Sequence, residues 1–252
     1  MAKGKIALQM YTVRDDQSKD FRGTLTKVAE MGYPAVEFAG YGGLSAEQIA
    51  DLLRELGITA AGTHTGVEAL QNDFAGVVRF HHTIGAKFVT VPSIPGNRYT
   101  RDEAGFRSAA KDLGELGRRL AAEGLALGYH NHDFEFFKAD GRYGLDILYD
   151  ETDPAHLRAE LDVFWAKKGG VDPAEYMRKL GPRCSLVHIK DMAADGSFAE
   201  VGTGSIDFTS IFAAGLAIGS EWYIVEQDVC KTRPPLEAVR LSLDNLRQWG
   251  RL

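Results

Sequence analysis

The sequence predicts a single α/β domain over residues 1–252, folded as a closed (β/α)8 barrel, the TIM-barrel architecture. Eight short apolar runs, rich in valine, isoleucine and aromatic residues, alternate with longer amphipathic segments from end to end. The runs recur about every 31 residues, which is roughly the size of one βα unit. No linker and no shift in composition divides the chain, and barrels of about 250 residues commonly form one domain.

The eight runs are the predicted strands, because they are too short for helices and are rich in residues that favour buried parallel strands. They begin at Ile6, Ala35, Ile58, Lys87, Leu125, Leu157, Cys184 and Trp222. An open doubly wound sheet is the alternative, and it requires a phosphate-binding GxGxxG pattern after the first strand. The sequence has Gln9-Met10-Tyr11-Thr12 at that place, which favours the barrel.

Signals for helix starts lie between the strands. Ser45 with Gln48, and Thr100 with Glu103, each match the capping box, in which the first residue is the N-cap and the fourth bonds back to it. Asp172 is predicted to cap a helix that opens on a proline. These signals place helices between the predicted strands, as a βα repeat requires.

Composition and charge exclude several classes of protein. With 44% hydrophobic and 25% charged residues, the chain is neither disordered nor collagen-like. Its net charge of −6 argues against a non-specific nucleic-acid binder and against binding to an anionic membrane surface. Cys184 and Cys230 are its only cysteines and form no CxxC pair, so we expect a reduced, cytoplasmic setting. No apolar run approaches about 18 residues and no signal-peptide pattern is present, so we expect neither a membrane span nor secretion.

Four ionisable residues stand at the ends of four successive predicted strands. They are His130, Asp162, His188 and Glu226, from strands five to eight. Active sites of this architecture lie at these carboxyl ends, and two imidazoles with two carboxylates are typical ligands of a first-row divalent metal ion. The structural alternatives are a helix cap for Asp162, an ion pair for Glu226 and core hydrogen bonds for the histidines. His132 shares the side-chain parity of His130 and competes with it as the ligand from strand five.

Further residues at the same strand ends are predicted to bind the hydroxyls of a substrate or to neutralise its charge. They are Gln9, Tyr11, Arg14, Glu37, His64, Trp165 and Lys190. Trp165 either walls a sugar ring or packs against the next helix. The Gly202-Thr203-Gly204 stretch either holds an anion with its backbone amides or is a flexible turn. His81 and His82 in a predicted helix, and His156 in a turn, are expected to have packing or surface roles.

Eight segments, in order along the chain, resemble one family of barrels. They are LQMYTVRDD, GYPAVEF, THTG, YHNHDFEF, ELDVFWAKKGG, LVHIKDM, VGTGSIDF and YIVEQD. Together they resemble the xylose-isomerase-like barrels, often called sugar phosphate isomerases/epimerases, which also include D-tagatose 3-epimerase, inosose dehydratase and endonuclease IV. The resemblance spans nearly the whole chain and is specific for the family, though not for a substrate.

The resemblance implies one divalent metal ion, held in the family by a glutamate, an aspartate, a histidine and a second glutamate from strands five to eight. The corresponding residues here are His130, Asp162, His188 and Glu226. The sequence thus departs from the family at strand five, and a metal-bound imidazole has no spare lone pair for taking a proton. One of the two opposed glutamates of the epimerases is therefore missing, and the candidate catalytic residues are Glu226, Glu135 and His132. The extra nitrogen ligand favours Mn²⁺, Co²⁺, Fe²⁺ or Zn²⁺ over Mg²⁺.

The resulting hypothesis is a metal-dependent isomerase or epimerase that acts on a small sugar or keto-sugar through an enediolate. The alternative is a lyase or hydratase that dehydrates, or eliminates from, a 3-keto sugar or glycoside with the same ion and a single base. A non-catalytic sugar-binding barrel and an endonuclease IV-like nuclease are more remote, and seven histidines with a net charge of −6 disfavour the nuclease. The expected partner is a small-molecule sugar, with no nucleic acid and no membrane. The sequence leaves open which sugar it is, whether it is phosphorylated, and whether the chain forms a homo-oligomer.

Overall fold

The computed structural model describes residues 4–139 and 141–252 and shows a closed barrel of eight parallel strands. The strands are β1 Lys5–Gln9, β2 Ala35–Phe38, β3 Thr59–His64, β4 Phe88–Val91, β5 Ala126–His130, β6 Arg158–Asp162, β7 Cys184–Ile189 and β8 Trp222–Val225. Consecutive strands pair in parallel, and β8 closes the barrel by pairing with β1. The predicted architecture and its eight strands are confirmed.

Helices surround the barrel. In the described segments they are α1 Arg14–Gln17, α2 Phe21–Met31, α3 Ala46–Leu56, α4 Val67–Asn72, α5 Phe74–Ile84, α6 Glu103–Ala122, α7 Gly144–Asp150, α8 Val163–Lys168, α9 Pro173–Leu180, α10 Phe208–Ile218 and α11 Pro235–Gln248. Two short antiparallel pairs extend the loops after β5 and β7: Lys138–Ala139 with Arg142–Tyr143, and Asp191–Met192 with Phe198–Ala199. None of these helices is both long and apolar enough to cross a bilayer.

Two of the three predicted helix caps are present. Ser45 caps α3: its hydroxyl accepts from the Gln48 N–H at 3.3 Å, and Gln48 Oε1 accepts from the Ser45 N–H at 2.9 Å. The aspartate before α9 caps that helix as predicted. The prediction of Thr100 as the N-cap of α6 is wrong, because Asp102 accepts the first-turn N–H at 2.8 Å. Thr100 instead donates its hydroxyl to Asp102, so it supports the cap from outside the helix.

The inside of the barrel is layered. Its lower layer is apolar and consists of Ala7, Ala35, Ala61, Phe88, Leu186, Trp222 and Ile224. Side chains two positions apart share a face of a strand, so the inward residues above this layer follow from the strand register. They are largely polar near the carboxyl ends of the strands, which places buried ionisable groups directly on an apolar floor.

The strand pairing is interrupted at two places in the described part of the barrel. β3 has one extra residue, Ala61, opposite the Val36–Glu37 step of β2. β7 has one extra residue, Ser185, opposite the Ala159–Glu160 step of β6. In both cases a buried glutamate of the partner strand follows at once. Bulges of this kind redirect the side chains beyond them, and they are common beside functional sites.

Three histidines lie away from the carboxyl ends of the strands, as predicted. His81 is buried in α5, where its Nε2 lies 2.7 Å from the Thr63 hydroxyl and its Nδ1 lies 2.7 Å from the Val77 carbonyl oxygen. His82 is exposed on the same helix, and His156 lies in a turn. Packing and surface roles are therefore confirmed for these residues.

The Gly202-Thr203-Gly204 turn holds an anion that belongs to the chain itself. Asp191 Oδ2 accepts hydrogen bonds from the backbone N–H groups of Gly202 and Gly204 at 2.9 and 2.8 Å, and Oδ1 accepts from Ile206 at 3.1 Å. The anion-binding interpretation of this turn is thus corrected: its amides are engaged by a structural carboxylate.

Candidate metal centre

The carboxyl ends of β5 to β8 bring four buried ionisable residues together. They are His130, Asp162, His188 and Glu226, here called the outer cluster. One donor atom from each residue lies within 4.8 Å of a donor atom from every other. The structure therefore assembles the set of residues that the sequence singled out.

Hydrogen bonds orient the donors of the outer cluster. His188 Nδ1 lies 2.7 Å from Glu226 Oε2, and His130 Nε2 lies 3.3 Å from Asp162 Oδ2. The other ring nitrogen of His130 lies 3.3 Å from the Pro92 carbonyl oxygen, and a proton on that nitrogen leaves Nε2 free to bind metal. Asp162 Oδ1 accepts an N–H from the first turn of α8, so that Oδ2 faces the cluster.

Burial and charge set the protonation of these donors. Burial, followed by the charge of His188, lowers the pKa of His130 and so favours its neutral form. Burial opposes ionisation of Asp162 and Glu226, but Lys190 and the imidazoles outweigh it and hold the pKa of both carboxyls below the ordinary value. A neutral imidazole and two ionised carboxylates are the forms that bind a divalent ion.

Lys190 balances the charge of the outer cluster. Its Nζ lies 3.1 Å from Asp162 Oδ2, 2.9 Å from Glu226 Oε2 and 2.8 Å from Asp228 Oδ2. The residue is 1% exposed, so its ammonium faces carboxylates and not solvent. These carboxylates outweigh burial and raise the pKa of Lys190. A buried charge is tolerated when it is paired in this way. The predicted contact of Lys190 with substrate stays a prediction.

A second cluster lies directly beneath the first and is called the inner ring. It consists of Glu37, His64, Glu160 and His188. Oxygen and nitrogen donors alternate around it. Glu37 Oε2 lies 3.3 Å from His64 Nε2 and 2.8 Å from His188 Nε2. Glu160 Oε1 lies 2.7 Å from His64 Nε2 and 3.0 Å from His188 Nε2. His188 thus belongs to both clusters, with Nδ1 toward the outer cluster and Nε2 toward the inner ring.

The ionisable groups of the inner ring perturb one another. Burial, then the Glu160 carboxylate, raises the pKa of Glu37 to about 7. Burial also opposes ionisation of Glu160, but His188 and His64 outweigh it and hold the pKa of Glu160 well below its ordinary value. Glu37 and Glu160 in turn raise the pKa of His64, and Glu160 and Glu226 raise the pKa of His188, in both cases against the effect of burial. The ring is therefore a strongly coupled buried group of charges.

The sequence did not reveal Glu160, and it assigned Gln9 and Glu37 to the substrate cavity, although both lie beneath it. Glu160 precedes Asp162 by two positions and shares its face of β6, and that parity was the available signal. Gln9 and Glu37 were predicted to bind substrate, but both are 0% exposed and neither lines the cavity above. Gln9 Nε2 donates to Glu37 Oε2 at 2.7 Å, and Thr90 donates to Glu160 Oε2 at 3.0 Å. Gln9 and Thr90 thus hold the two carboxylates of the inner ring in place through hydrogen bonds.

A cavity of about 370 Å³ opens above the outer cluster. It is lined by Tyr11, Ala39, His64, Pro92, His130, His132, Glu226 and Asp228. Arg14 lies at its rim, where the guanidinium stacks 4.3 Å from the centre of the Tyr11 ring and donates to the Asp228 carbonyl at 2.9 Å. A concave site of this size with convergent polar groups suits a small molecule.

His132 lines this cavity and keeps an unused ring nitrogen. Its Nδ1 is buried and has no hydrogen-bond partner in residues 4–139 and 141–252, and its ring centre lies 5.1 Å from that of His130. Burial, then His130, lowers the pKa of His132 to about 3, so the ring is neutral. Trp165 packs against it at 5.3 Å and against Phe198 at 5.6 Å, which agrees with the packing alternative. The Trp165 Nε1 is also buried without a partner.

Glu135 stands apart from both clusters. The Tyr129 hydroxyl donates to its Oε1 at 2.7 Å, and the His132 backbone N–H donates to its Oε2 at 2.8 Å. Glu135 lies in a 3-10 turn at Phe134–Phe136, which folds it back behind β5. Both oxygens are engaged in the wall of the barrel and the carboxylate does not line the cavity, so the role of Glu135 as a base stays a prediction that this geometry disfavours.

The fold and these clusters define a class of protein, a (β/α)8 barrel with histidines and carboxylates that could hold a metal ion at the carboxyl ends of its strands. The chain belongs to the xylose isomerase-like TIM barrel family, whose model matches residues 25–249.

The chain resembles one curated relative in sequence and two solved structures in fold. The chain is 26% identical over 251 residues to the inosose dehydratase of Geobacillus kaustophilus (strain HTA426), a match covering 81% of this chain and 79% of that protein. A sugar phosphate isomerase/epimerase from Parabacteroides distasonis has a similar structure, with a TM-score of 0.86 at 24% identity, over 100% of this chain and 96% of that one. The IolI protein, described with a bound zinc atom, gives a TM-score of 0.74 at 17% identity, over 96% of this chain and 97% of that one.

Proposed function

We propose that the protein is a divalent-metal-dependent lyase that removes water from a small keto-sugar or keto-polyol carrying a hydroxyl β to its ketone. The observation that carries this proposal is the combination of four candidate metal ligands with one unengaged base, His132, on the wall of the same cavity. The relative named inosose dehydratase supports the same class of reaction.

The outer cluster fits a divalent ion by its donor chemistry. His130 Nε2, His188 Nδ1 and one oxygen each from Asp162 and Glu226 would hold it. Two nitrogens and two oxygens suit Mn²⁺, Fe²⁺, Co²⁺ or Zn²⁺ better than Mg²⁺, and IolI is described with zinc. When bound, such an ion acts as a Lewis acid toward the ketone and the neighbouring hydroxyl oxygen.

His132 performs the proton transfers. Its Nδ1 takes the proton from the carbon beside the ketone, and the electrons of that C–H bond form the new C=C bond. The C–O bond at the next carbon breaks, and the same nitrogen returns its proton to the departing hydroxide, which leaves as water. Trp165 donates its free indole N–H to a substrate oxygen, while Tyr11 and Arg14 cover the mouth of the cavity. No second acid or base is needed.

Isomerisation is the second candidate, because one base can also move a proton between neighbouring carbons on the same face. Epimerisation requires a group that returns the proton from the opposite face. Glu226 is the residue across the cavity, but its Oε2 already lies 2.7 Å from His188 Nδ1 and 2.9 Å from Lys190 Nζ. The geometry therefore favours the lyase over the epimerase that the sequence favoured.

Proton NMR in D₂O tests this proposal. Protein reloaded with Mn²⁺ or Zn²⁺ is incubated with an inosose and, separately, with a ketohexose. We expect loss of the α-proton together with loss of one water by mass, both abolished in His132→Gln. The exposed His82→Gln is the matched control and retains both. Deuterium in a product of unchanged mass except for the label would show isomerisation or epimerisation. Absence of exchange with every substrate would contradict proton abstraction altogether.

A further inference from the structure

The donors of the inner ring are arranged symmetrically on opposite sides of the barrel, an arrangement that merely holding His188 in place would not require. Two pairs of adjacent strands, β2 with β3 and β6 with β7, face each other across the barrel, and each pair contributes one glutamate and one histidine. Each histidine-bearing strand also carries its extra residue three positions before the histidine, at Ala61 and Ser185. The same combination of a bulge, a glutamate and a histidine thus occurs on opposite sides of the barrel and brings four donors together.

We propose that the inner ring is a second metal site, which binds a transition-metal dication of the nickel, copper or zinc type and shares His188 with the outer cluster. When both sites are filled, His188 releases its ring protons to solvent and bridges the two ions as an imidazolate. The proposal goes beyond the proposed function, since no step of the dehydration uses this site.

The size of the ring fits such an ion. Its four N···O sides measure 2.7, 2.8, 3.0 and 3.3 Å. A square with sides of about 3 Å has its corners about 2.1 Å from its centre, which is the usual bond length from zinc-type ions to imidazole nitrogen or carboxylate oxygen. An alternating arrangement of two nitrogens and two oxygens is typical of tetragonal copper and nickel sites, and its flattened tetrahedral form accepts zinc.

The hydrogen-bonding requirements of the ring would also be met by a cation. Glu37 and Glu160 are both 0% exposed, and their ion-pair partners in the described part of the chain are histidines. Among the described residues, Glu37 Oε1 has no hydrogen-bond partner. Two imidazole N–H groups have to serve four short N···O contacts, whereas one ion at the centre would bond to all four donors. Buried carboxylates are costly unless they are paired or metal-bound.

The site has an entry route and room for the unpartnered carboxylate oxygen. His64 lines the 370 Å³ cavity, so an ion has to pass one side chain to reach the ring. Gly62 lies beside Glu37, and a Cβ there would stand 3.2 Å from Glu37 Oε1. The glycine therefore leaves space for that carboxylate inside the barrel.

Cadmium-113 NMR and metal counting test the proposal on the full chain. The protein is stripped with chelator, reloaded with ¹¹³Cd²⁺ or with Zn²⁺, desalted and assayed by elemental analysis. We expect two ions per chain and two ¹¹³Cd resonances. Glu160→Gln should lose one ion and one resonance, and Glu226→Gln should lose one ion and the other resonance. Glu200→Gln, which changes a buried carboxylate bound to Thr232 and Arg233, should keep both.

His64→Asn is the second inner-ring variant, because His64 borders the cavity and its change disturbs the core least. Circular dichroism verifies that each variant folds. One ion and one resonance in the wild type, with Glu160→Gln and His64→Asn only weakening that ion's affinity, would overturn the proposal and make the ring a hydrogen-bonded clamp on His188. A resonance that survives Glu226→Gln but not Glu160→Gln supports the inner site even if the outer cluster binds nothing, so the two proposals fail separately.

Discussion

Truncating Asp191 to alanine should destabilise the protein more than any other single change on the loop after β7. Its carboxylate accepts four backbone hydrogen bonds: from Met192 at 2.7 Å, Gly202 at 2.9 Å, Gly204 at 2.8 Å and Ile206 at 3.1 Å. The residue is 1% exposed, so the carboxylate is part of the interior. It ties the hairpin at Asp191–Met192 to the turn that leads into α10.

The magnitude follows from these four bonds. At about 1.5 kcal/mol for a bond to a charged acceptor, four bonds are worth about 6 kcal/mol. Gly202 and Gly204 lie in an exposed turn, where water replaces much of what their amides lose. Counting those two bonds at half value, we expect a loss of about 4–5 kcal/mol in the free energy of unfolding. For a chain of this size the melting temperature should fall by about 8–20 °C.

Urea denaturation followed by circular dichroism measures the loss. Asp195→Ala is the control: this aspartate lies exposed at the tip of the same hairpin, accepts hydrogen bonds only from Ser197 among the described residues, and should cost about 1 kcal/mol or less. Gly204→Ala provides a second test, because its Cβ would collide with Asp191 Oδ1 and with the Met192 carbonyl oxygen, and only the first of these contacts is relieved when Asp191 is truncated. Its cost should shrink in the Asp191→Ala background, as expected for residues in contact. A loss below about 1 kcal/mol for Asp191→Ala would refute the anchoring role.

Three further predictions concern the site. His130→Ala should weaken metal binding by about 100-fold or more, as measured by chelator competition. His132→Ala should keep the metal affinity and lose turnover. The reverse result would show that His132, and not His130, is the ligand from β5. Lys190→Met should cost the metal-free protein about 3–5 kcal/mol and the metal-saturated protein less, since the ion then supplies positive charge; equal losses in urea titrations would contradict this. Trp165→Phe keeps the packing, removes a buried unpartnered N–H and should raise KM by about 10-fold with little change in kcat or stability; an unchanged KM would show that the indole N–H does not touch substrate.

The sequence predicted the strands and the residues at their carboxyl ends, because both follow from the periodicity of the apolar runs. Strand positions follow from short apolar runs at regular spacing, and the ends of those runs expose His130, Asp162, His188 and Glu226 as a set. No local motif was needed, because a closed barrel brings the carboxyl ends of all its strands to one face. The same reasoning, applied one step lower, would have found Glu160 by its parity with Asp162.

The sequence could not predict features that depend on the backbone path of the loops. Glu135 is five positions from His130, yet a 3-10 turn directs it to Tyr129 on the outer side of the strand. Asp191 and Gly202 are 11 positions apart in the sequence. Only the folded hairpin shows that the Asp191 carboxylate is the anion bound by the backbone amides of the Gly202-Thr203-Gly204 turn. Thr100 matched the capping pattern as well as Asp102 did, and the choice between them was made by the backbone path into α6.

Anomalous diffraction from metal-loaded crystals, recorded at the absorption edge of the bound metal, tests the central claim most directly. The account predicts a peak within bonding distance of His130 Nε2, Asp162 Oδ2, His188 Nδ1 and Glu226 at the floor of the cavity. A peak bound by His132 instead of His130, or saturating metal with no peak among these four residues, would contradict it.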